Sequence, residues 1–442
     1  MASVYKFGGQ SIANYDRIQR CLDIIEAAAD KGVVVVVSAH GDTTDRLLRA
    51  ARSALEGNTD ISDIRKYHME LIDALIVPSG LIEPLLVKLE TLLHGVWLLK
   101  ELTPRTLDHI ISFGERLASR IISGALVTRG RNSVAINSYD VGMITDDHFG
   151  SASPLHGIET GLGEAFAKIE GIPVVTGFLG KNSRGEITTL GRSGSDFSAT
   201  IIAAGIGASE VVIWKNVDGV MTADPSVDPR ARNIPELSFD EASELAYFGA
   251  EVLHPSTLIP AIKKGIPVRV VNAFKENDLG TSIFAEPVIT KSIAKSVAYK
   301  EDVTLFHLSS QRLHSVPDVL NSALAALKKL GIVAHMVTTS EAGISLITQS
   351  DLSDEQKMEA TEALKRIAPV SSYPAMAIVC IVGDELKGRA DAIGKIFTSL
   401  GEVGINAKAI TKGASEINIG VLIKNEDIPK AVRALHGLIL AR

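Results

Sequence analysis

The sequence predicts an α/β protein with a largely parallel central sheet, followed by two ferredoxin-like units. Three observations carry this. Up to about residue 285, short β-branched runs alternate with amphipathic helical stretches, as expected of parallel strands joined by crossover helices. Beyond about residue 300 the period changes and a segment recurs: Gly331-Ile332-Val333-Ala334-His335-Met336-Val337-Thr338 matches Gly404-Ile405-Asn406-Ala407-Lys408-Ala409-Ile410-Thr411 at five of eight positions when Val and Ile count as equivalent. The chain has 442 residues, 46% of them hydrophobic and only 5% aromatic, enough for two or three domains with aliphatic cores.

The first strand is read at Val4 to Phe7. A helix follows near Asn14 to Asp30, where Ile18, Leu22, Ile25 and Ala29 recur at helical spacing before Gly32 ends it. Val33 to Ser38 is the next strand, and others are legible at Ser133–Asn137, Ile172–Thr176, Glu210–Trp214 and Pro267–Val271, each bounded by Gly, Pro or Asn. Phe178 to Leu190 reads as a hairpin turning at Ser183-Arg184-Gly185. Ser238 and Glu241 have capping-box spacing and start a helix through Phe248. A weakly punctuated stretch, about Glu286 to Lys300, separates this region from the repeats. Each repeat reads strand (Val303–Leu308; Ala377–Val382), helix (Pro317–Leu330; Gly388–Leu400), two more strands and a helix, the βαββαβ plan.

Composition excludes some functions. A net charge of −7 and no Lys/Arg cluster argue against nucleic-acid binding. No apolar run approaches the roughly eighteen residues a membrane span needs, and no leader pattern opens the chain, so the chain is read as cytoplasmic or as already trimmed. Cys21 and Cys380 stand far apart and suit neither a disulfide framework nor a zinc site.

Several motifs can carry chemistry. In Lys6-Phe7-Gly8-Gly9-Gln10-Ser11 a strand ends on a lysine, two glycines and a serine; such a turn brings backbone N–H groups to a phosphate while the lysine adds a movable charge. Its plain alternative is an ordinary strand-to-helix turn. Gly191-Arg192-Ser193-Gly194-Ser195-Asp196 precedes a second helix. Arg192 can grip a carboxylate bidentately, and Asp196 beside phosphate makes sense as the organiser of a lysine or a magnesium ion; otherwise Ser195 and Asp196 cap the helix. Ser38-Ala39-His40-Gly41-Asp42-Thr43-Thr44-Asp45 sits at the C-terminal edge of the sheet, where open α/β sheets bind ligands, or simply caps a helix over Asp45–Leu55. Glu115, in Ser112-Phe113-Gly114-Glu115, either holds an ammonium group or is a solvated helix-start carboxylate. Trp214-Lys215-Asn216 through Met221 to Pro225 is dense in turn residues and could wall a nucleotide. His254, without an acid or metal partner nearby in sequence, reads as structural.

Together these segments, in register from residue 4 to the end, resemble aspartate kinases of the amino-acid kinase family. KFGGQS, SAHGDTTD, FGE, GRSGSD, VDGVMTADP and FGAEVLHP carry the resemblance, and Thr338-Thr339-Ser340-Glu341 and Gly413 to Ile419 look like paired ACT domains. The resemblance implies the amino-acid kinase fold over residues 1–290 and ACT domains over 300–373 and 374–442. It implies transfer of the γ-phosphoryl group of ATP, with Mg2+, to L-aspartate, with no protein metal site. Lys6 would stabilise the transferring phosphoryl group and Asp196 organise it. Phe7, Gly8, Gly9, Ser11, Lys215, Asn216 and Met221 would line the ATP path. Aspartate would be held by Arg192 on its α-carboxylate and Glu115 on its ammonium, with Ser38, Thr44, Ser193, Gly194 and Ser195 nearby. A homodimer or higher oligomer and an amino-acid effector at the ACT domains are also implied. The chain departs from the family's habit at Glu251, where many relatives carry lysine, at Met221 and Ser226, and at Lys215-Asn216; Lys215 is the cation that could compensate for Glu251. His335 stands where lysine-inhibited relatives carry aspartate, leaving the effector open between lysine, threonine, another amino acid or none. Another amino-acid kinase, such as a glutamate 5-kinase, and a catalytically weak sensor are the competing expectations.

Overall fold

The computed structural model describes residues 2–249, 253–275, 278–286, 288–309, 316–341 and 343–441. The chain divides into two compact units, one of residues 1–220, 235–243 and 252–286, the other of residues 221–234, 244–251 and 287–442.

The first unit contains β1 (Ser3–Phe7), β2 (Val33–Val37), β3 (Ser133–Ile136), β4 (Ile172–Thr176), the hairpin β5 (Leu179–Lys181) and β6 (Ile187–Thr189), β7 (Val211–Lys215), β8 (Glu236–Ser238), β9 (Val268–Asn272) and β10 (Thr281–Phe284). All but the hairpin form one sheet in the order β3-β4-β2-β1-β7-β9-β10-β8, parallel except where β10 meets β9. The five valines of β2 are all buried, as expected of a parallel strand covered on both faces. Around the sheet lie α1 (Tyr15–Ala29), α2 (Thr43–Leu55), α3 (Ser62–Leu75), α4 (Glu83–Leu99), α5 (Pro104–Ile111), α6 (Phe113–Thr128), α7 (Ile158–Phe166), α8 (Gly194–Ile206) and α10 (Pro255–Lys264); α9 (Phe239–Tyr247) runs from residues of the first unit into residues of the second.

Local chemistry explains most boundaries. Asn14 caps α1 by accepting Arg17 N–H at 3.0 Å. Ser238 and Glu241 make both bonds of a capping box at α9, 2.8 and 3.1 Å. One boundary differs from expectation: α2 begins at Thr43, not Asp45, because the Thr43 hydroxyl donates to the His40 carbonyl at 2.6 Å while Asp42 pairs with Arg46 at 2.9 Å. Because β1, β2, β4 and β7 are parallel, Phe7, Val37, Thr176 and Lys215 end at one edge of the sheet.

The second unit contains β11 (Ser296–Ser309), α11 (Val316–Lys329), β12 (Ala334–Ser340), β13 (Gly343–Thr348), α12 (Asp354–Lys365), β14 (Val370–Val382), α13 (Ala390–Glu402), β15 (Ala409–Thr411), β16 (Asn418–Lys424) and α14 (Ile428–Leu440). Its six strands form one antiparallel sheet, β12-β13-β11-β14-β16-β15. The long strands β11 and β14 serve both repeats. Leu305–Leu308 pair with β13 on one side and Val370–Tyr373 on the other, whereas Ser296–Lys300 pair with Ile378–Val382, next to β16. The register shifts between Lys300 and Leu305, where Asp302 has φ 56°, and Ala375 on the facing strand has φ 55°. The second repeat therefore takes its fourth strand from residues 296–300, part of the stretch expected to be a link; Val297 and Ala298 are buried there.

Residues 221–234 pack in this unit. Val297 N–H donates to Thr222 O at 3.0 Å, Ser296 Oγ to Met221 O at 2.8 Å, and Tyr299 OH to Asp224 Oδ2 at 2.8 Å. The buried His436 of α14 lies 2.8 Å from both Asp228 Oδ2 and Thr222 Oγ1.

Candidate active site

Three loops meet at the C-terminal edge of the first unit's sheet. The turn after β1 is drawn to the loop after β2: Gly41 N–H donates to Gly9 O at 3.0 Å, and a Cβ on Gly9 would lie 2.6 Å from the Ala39 carbonyl oxygen, so only glycine permits this approach. On its other side the turn meets β7, where Ser11 Oγ donates to Trp214 O at 3.2 Å. Ser38 N–H continues the ladder to Phe7 O at 3.1 Å, and Phe7 stacks on Trp214 with ring centroids 6.2 Å apart.

At the centre Lys6 Nζ lies 2.6 Å from Asp196 Oδ1 and Lys215 Nζ 3.3 Å from Asp196 Oδ2. Asp196 does not cap α8; that helix starts at Gly194, with Ser193 at φ 54° and no side-chain cap. Burial alone would raise the Asp196 carboxyl, but the two lysines outweigh it and hold it below the usual carboxylate range. Burial lowers the Lys215 ammonium, aided by the like charge of Lys6 and opposed by Asp196. Two cations thus converge on one carboxylate at the sheet edge, a site primed for anionic oxygens.

Glu115 lies on the first turn of α6 and is 3% exposed. Oε1 accepts Ala39 N–H at 3.1 Å, while Oε2 is buried without a hydrogen-bond partner. Burial pushes its carboxyl up to about 8, despite the Ala39 hydrogen bond and the Lys6 charge. The solvated helix-start reading is therefore wrong. A buried carboxylate with an unmet oxygen is suited to receive a cation.

Beneath the same loop lie two buried imidazoles. His40 Nδ1 faces Ile12 O at 2.6 Å, and His68 Nδ1 faces Ile64 O at 2.8 Å. Burial lowers His40 to about 3, with help from His68, and His68 to about 4. Between pH 6.5 and 4 the unfolded chain binds more protons than the folded one, so this stability is present above pH 6.5 and lost as pH falls. The thermal midpoint should drop between pH 7 and 5, each imidazole contributing a slope of up to about 1.4 kcal/mol per pH unit. In His68→Asn the drop should be shallower; an unchanged slope would contradict this assignment.

Arg192 is exposed on the turn before α8 and makes no ion pair among the described residues. Gly194 is buried against Phe178, where an added Cβ would lie 2.6 Å from the ring, and Ser195 is buried against Gly177, where an added Cβ would lie 2.6 Å from the serine Cβ. Thr44 is partly exposed on α2, its neighbour Thr43 being the buried hydroxyl; Asn216 is exposed after β7. Met221 belongs to the second unit, bridged to Asn233. Glu251 lies outside the described residues. His254 is structural as expected, capping α10 through Ser256. The residue that sequence reasoning missed is Asp108, 1% exposed, which accepts from Gly150 N–H and Thr189 N–H, each at 2.9 Å. Its only sequence signal is a carboxylate among Leu107, Ile110 and Ile111 in a short helix.

Residues 1–272 match the amino acid kinase family, and residues 379–438 match the ACT domain. Aspartokinase 2, chloroplastic, of Arabidopsis thaliana is 35% identical, the alignment covering 99% of this chain and 84% of that one. Lysine-sensitive aspartokinase 3 of Escherichia coli is 31% identical over 98% of each. The crystal structure of E. coli aspartokinase III with aspartate and ADP superposes with a TM-score of 0.80 at 28% identity, covering 99% of this chain and all of that one. The same enzyme with lysine and aspartate gives 0.79 at 30% identity, covering 99% of each. The chain belongs to the amino acid kinase family, in its aspartokinase branch.

Proposed function

We propose that this protein transfers the γ-phosphoryl group of ATP to the side-chain carboxylate of L-aspartate, giving 4-phospho-L-aspartate and ADP. The observation that carries the reading is the Lys6–Asp196–Lys215 cluster beside an unsatisfied Glu115 oxygen, at one edge of the sheet. In the step, a carboxylate oxygen bonds to the γ-phosphorus as the bond to the β–γ bridging oxygen breaks. The acceptor is already ionised at neutral pH, so no base is needed; the site must instead hold the anions in line and stabilise charge on the phosphoryl oxygens. Lys6 and Lys215 suit that role, with Asp196 aiming both. Gly8, Gly9 and Ser11 offer the phosphates a close backbone approach, with Phe7 and Asn216 completing the first unit's part of the nucleotide path. For aspartate, Glu115 takes the ammonium and Arg192 the α-carboxylate, beside Ser38, Thr44, Ser193, Gly194 and Ser195.

Mg2+ is assigned to the nucleotide, where it would neutralise phosphate charge. The kinase is assigned to residues 1–290 and the ACT pair to 300–373 and 374–442, with strand 296–300 added to the second repeat. The E. coli enzyme in complex with lysine supports an amino-acid effector, which we assign to the ACT pair. His335 there meets Tyr247 OH at 3.0 Å and Lys300 Nζ at 3.4 Å; an imidazole, neutral or cationic, offers an effector no negative charge. We assign a homodimer or higher homo-oligomer and, on two buried unpaired cysteines, a cytoplasmic location; no helix among the described residues is long and apolar enough to cross a membrane. The test is ADP release with MgATP and L-aspartate, L-glutamate, N-acetylglutamate or no acceptor. Turnover should require aspartate. Turnover with glutamate alone would assign another amino-acid kinase, and none with any acceptor would leave the sensor reading.

A further inference from the structure

Asp108 stands outside every motif, yet two segments beside the Arg192 turn converge on it through three hydrogen bonds. Its Oδ2 accepts Gly150 N–H and Thr189 N–H, and its Oδ1 accepts the Thr189 hydroxyl, all at 2.9 Å. Thr189 is the last residue of β6, three residues before Arg192. The Thr189 carbonyl in turn accepts Ala152 N–H at 2.8 Å, so the 150–152 loop is bonded to the strand end from both sides. That loop backs the turn: a Cβ on Gly191, at φ 72°, would lie 3.4 Å from Gly150 O and Ser151 Cα. Across the turn Leu190 N–H donates to Phe178 O at 2.9 Å. Arg192 itself is exposed and makes no ion pair among the described residues, so what the turn fixes is the backbone position from which its guanidinium reaches out.

We propose that Asp108 is a positioning residue for aspartate recognition: it locks the turn that carries Arg192, and through it the reach of the guanidinium to the substrate's α-carboxylate. The proposal rests on the reading of Arg192 given above. Removing the carboxylate leaves two backbone N–H groups without their acceptor in a buried place and frees the turn from its loop. The chemistry at Lys6 and Asp196 is not part of this network.

The test is steady-state kinetics of Asp108→Asn, which keeps the shape but loses an acceptor, and of Thr189→Val, which removes only the hydroxyl. Asp108→Asn should raise KM for L-aspartate about tenfold or more, the scale of a displaced positioning group, with kcat and KM for MgATP changed less than about twofold; Thr189→Val should do the same more weakly. L-Aspartate α-amide, which keeps the accepting side-chain carboxylate but lacks the α-carboxylate charge, should support ADP release with the same KM in wild type and variant. Equal weakening of amide and aspartate, a joint fall in kcat and rise in KM for MgATP, or unchanged KM for aspartate would overturn the proposal. Arg192→Ala is the separate control: if it leaves KM for aspartate unchanged, the reading of Arg192 itself fails.

Discussion

Lys6→Ala is expected to lower kcat by about 10³-fold or more, the cost of losing a preorganised charge aimed at the reacting group. Lys6 is 6% exposed at the end of β1, and its position is fixed twice, by the strand and by the 2.6 Å contact with Asp196. Lys215 cannot substitute in place, because its ammonium occupies the other oxygen of the same carboxylate at 3.3 Å. The loss should fall on kcat, since the charge is needed most as the phosphoryl group leaves ADP. Asp196→Asn should show a similar pattern by releasing both lysines. Measured ADP release within about tenfold of wild type for Lys6→Ala would remove this lysine from the centre of the reaction.

The pH dependence of aspartate use is expected to report Glu115. Its carboxyl is raised to about 8 by burial, and its Oε2 has no partner in the free protein. Below pH 8 the group carries a proton, which must leave before an ammonium can be bound as an ion pair. The logarithm of kcat/KM for aspartate should therefore rise with pH with a slope approaching one below about 8 and level off above it, until the substrate ammonium itself titrates. The charged groups around it do not replace it: Lys6 repels an ammonium, Asp196 is held by two lysines, and His40 turns Nδ1 to Ile12. Glu115→Gln should abolish the rise and increase KM for aspartate by about 10²-fold, as when one partner of a buried charge pair is lost. The same rise in the Gln variant would place the titration elsewhere.

Much of this fold is legible in local sequence because its cues are local. The periodicity of Ile18, Leu22 and Ile25, the pairing of Ser238 with Glu241 and the hairpin turn at Ser183-Arg184-Gly185 need no distant partner. What stayed hidden depends on contacts made far away. Ser296–Lys300 look like a link because their strand partners, Ile378–Val382, come much later in the chain. Glu115 reads as a solvated helix start until the loop after β2 closes over it. The site shows the same division: Lys6, Asp196 and Lys215 can each be suspected from a turn or a motif, but their convergence comes from β1 lying beside β7 and from α8 packing against β1. Asp108 carries no motif at all, and its importance comes from two backbone N–H groups outside its own helix.

The shared strands of the second unit set an order of assembly. Ala298 pairs with Cys380, about 80 residues away, and between them lies nearly the whole first repeat. Closing so long a loop in an unfolded chain is entropically unfavourable. Once the inner repeat has condensed from its nearer contacts, its ends emerge side by side as β11 and β14, and the outer repeat's strands are delivered already adjacent. The outer repeat should therefore fold after the inner one and at a rate governed by it, and a lesion in the inner core around Phe306 and Leu346 should delay the appearance of structure at Ile381 and Val421.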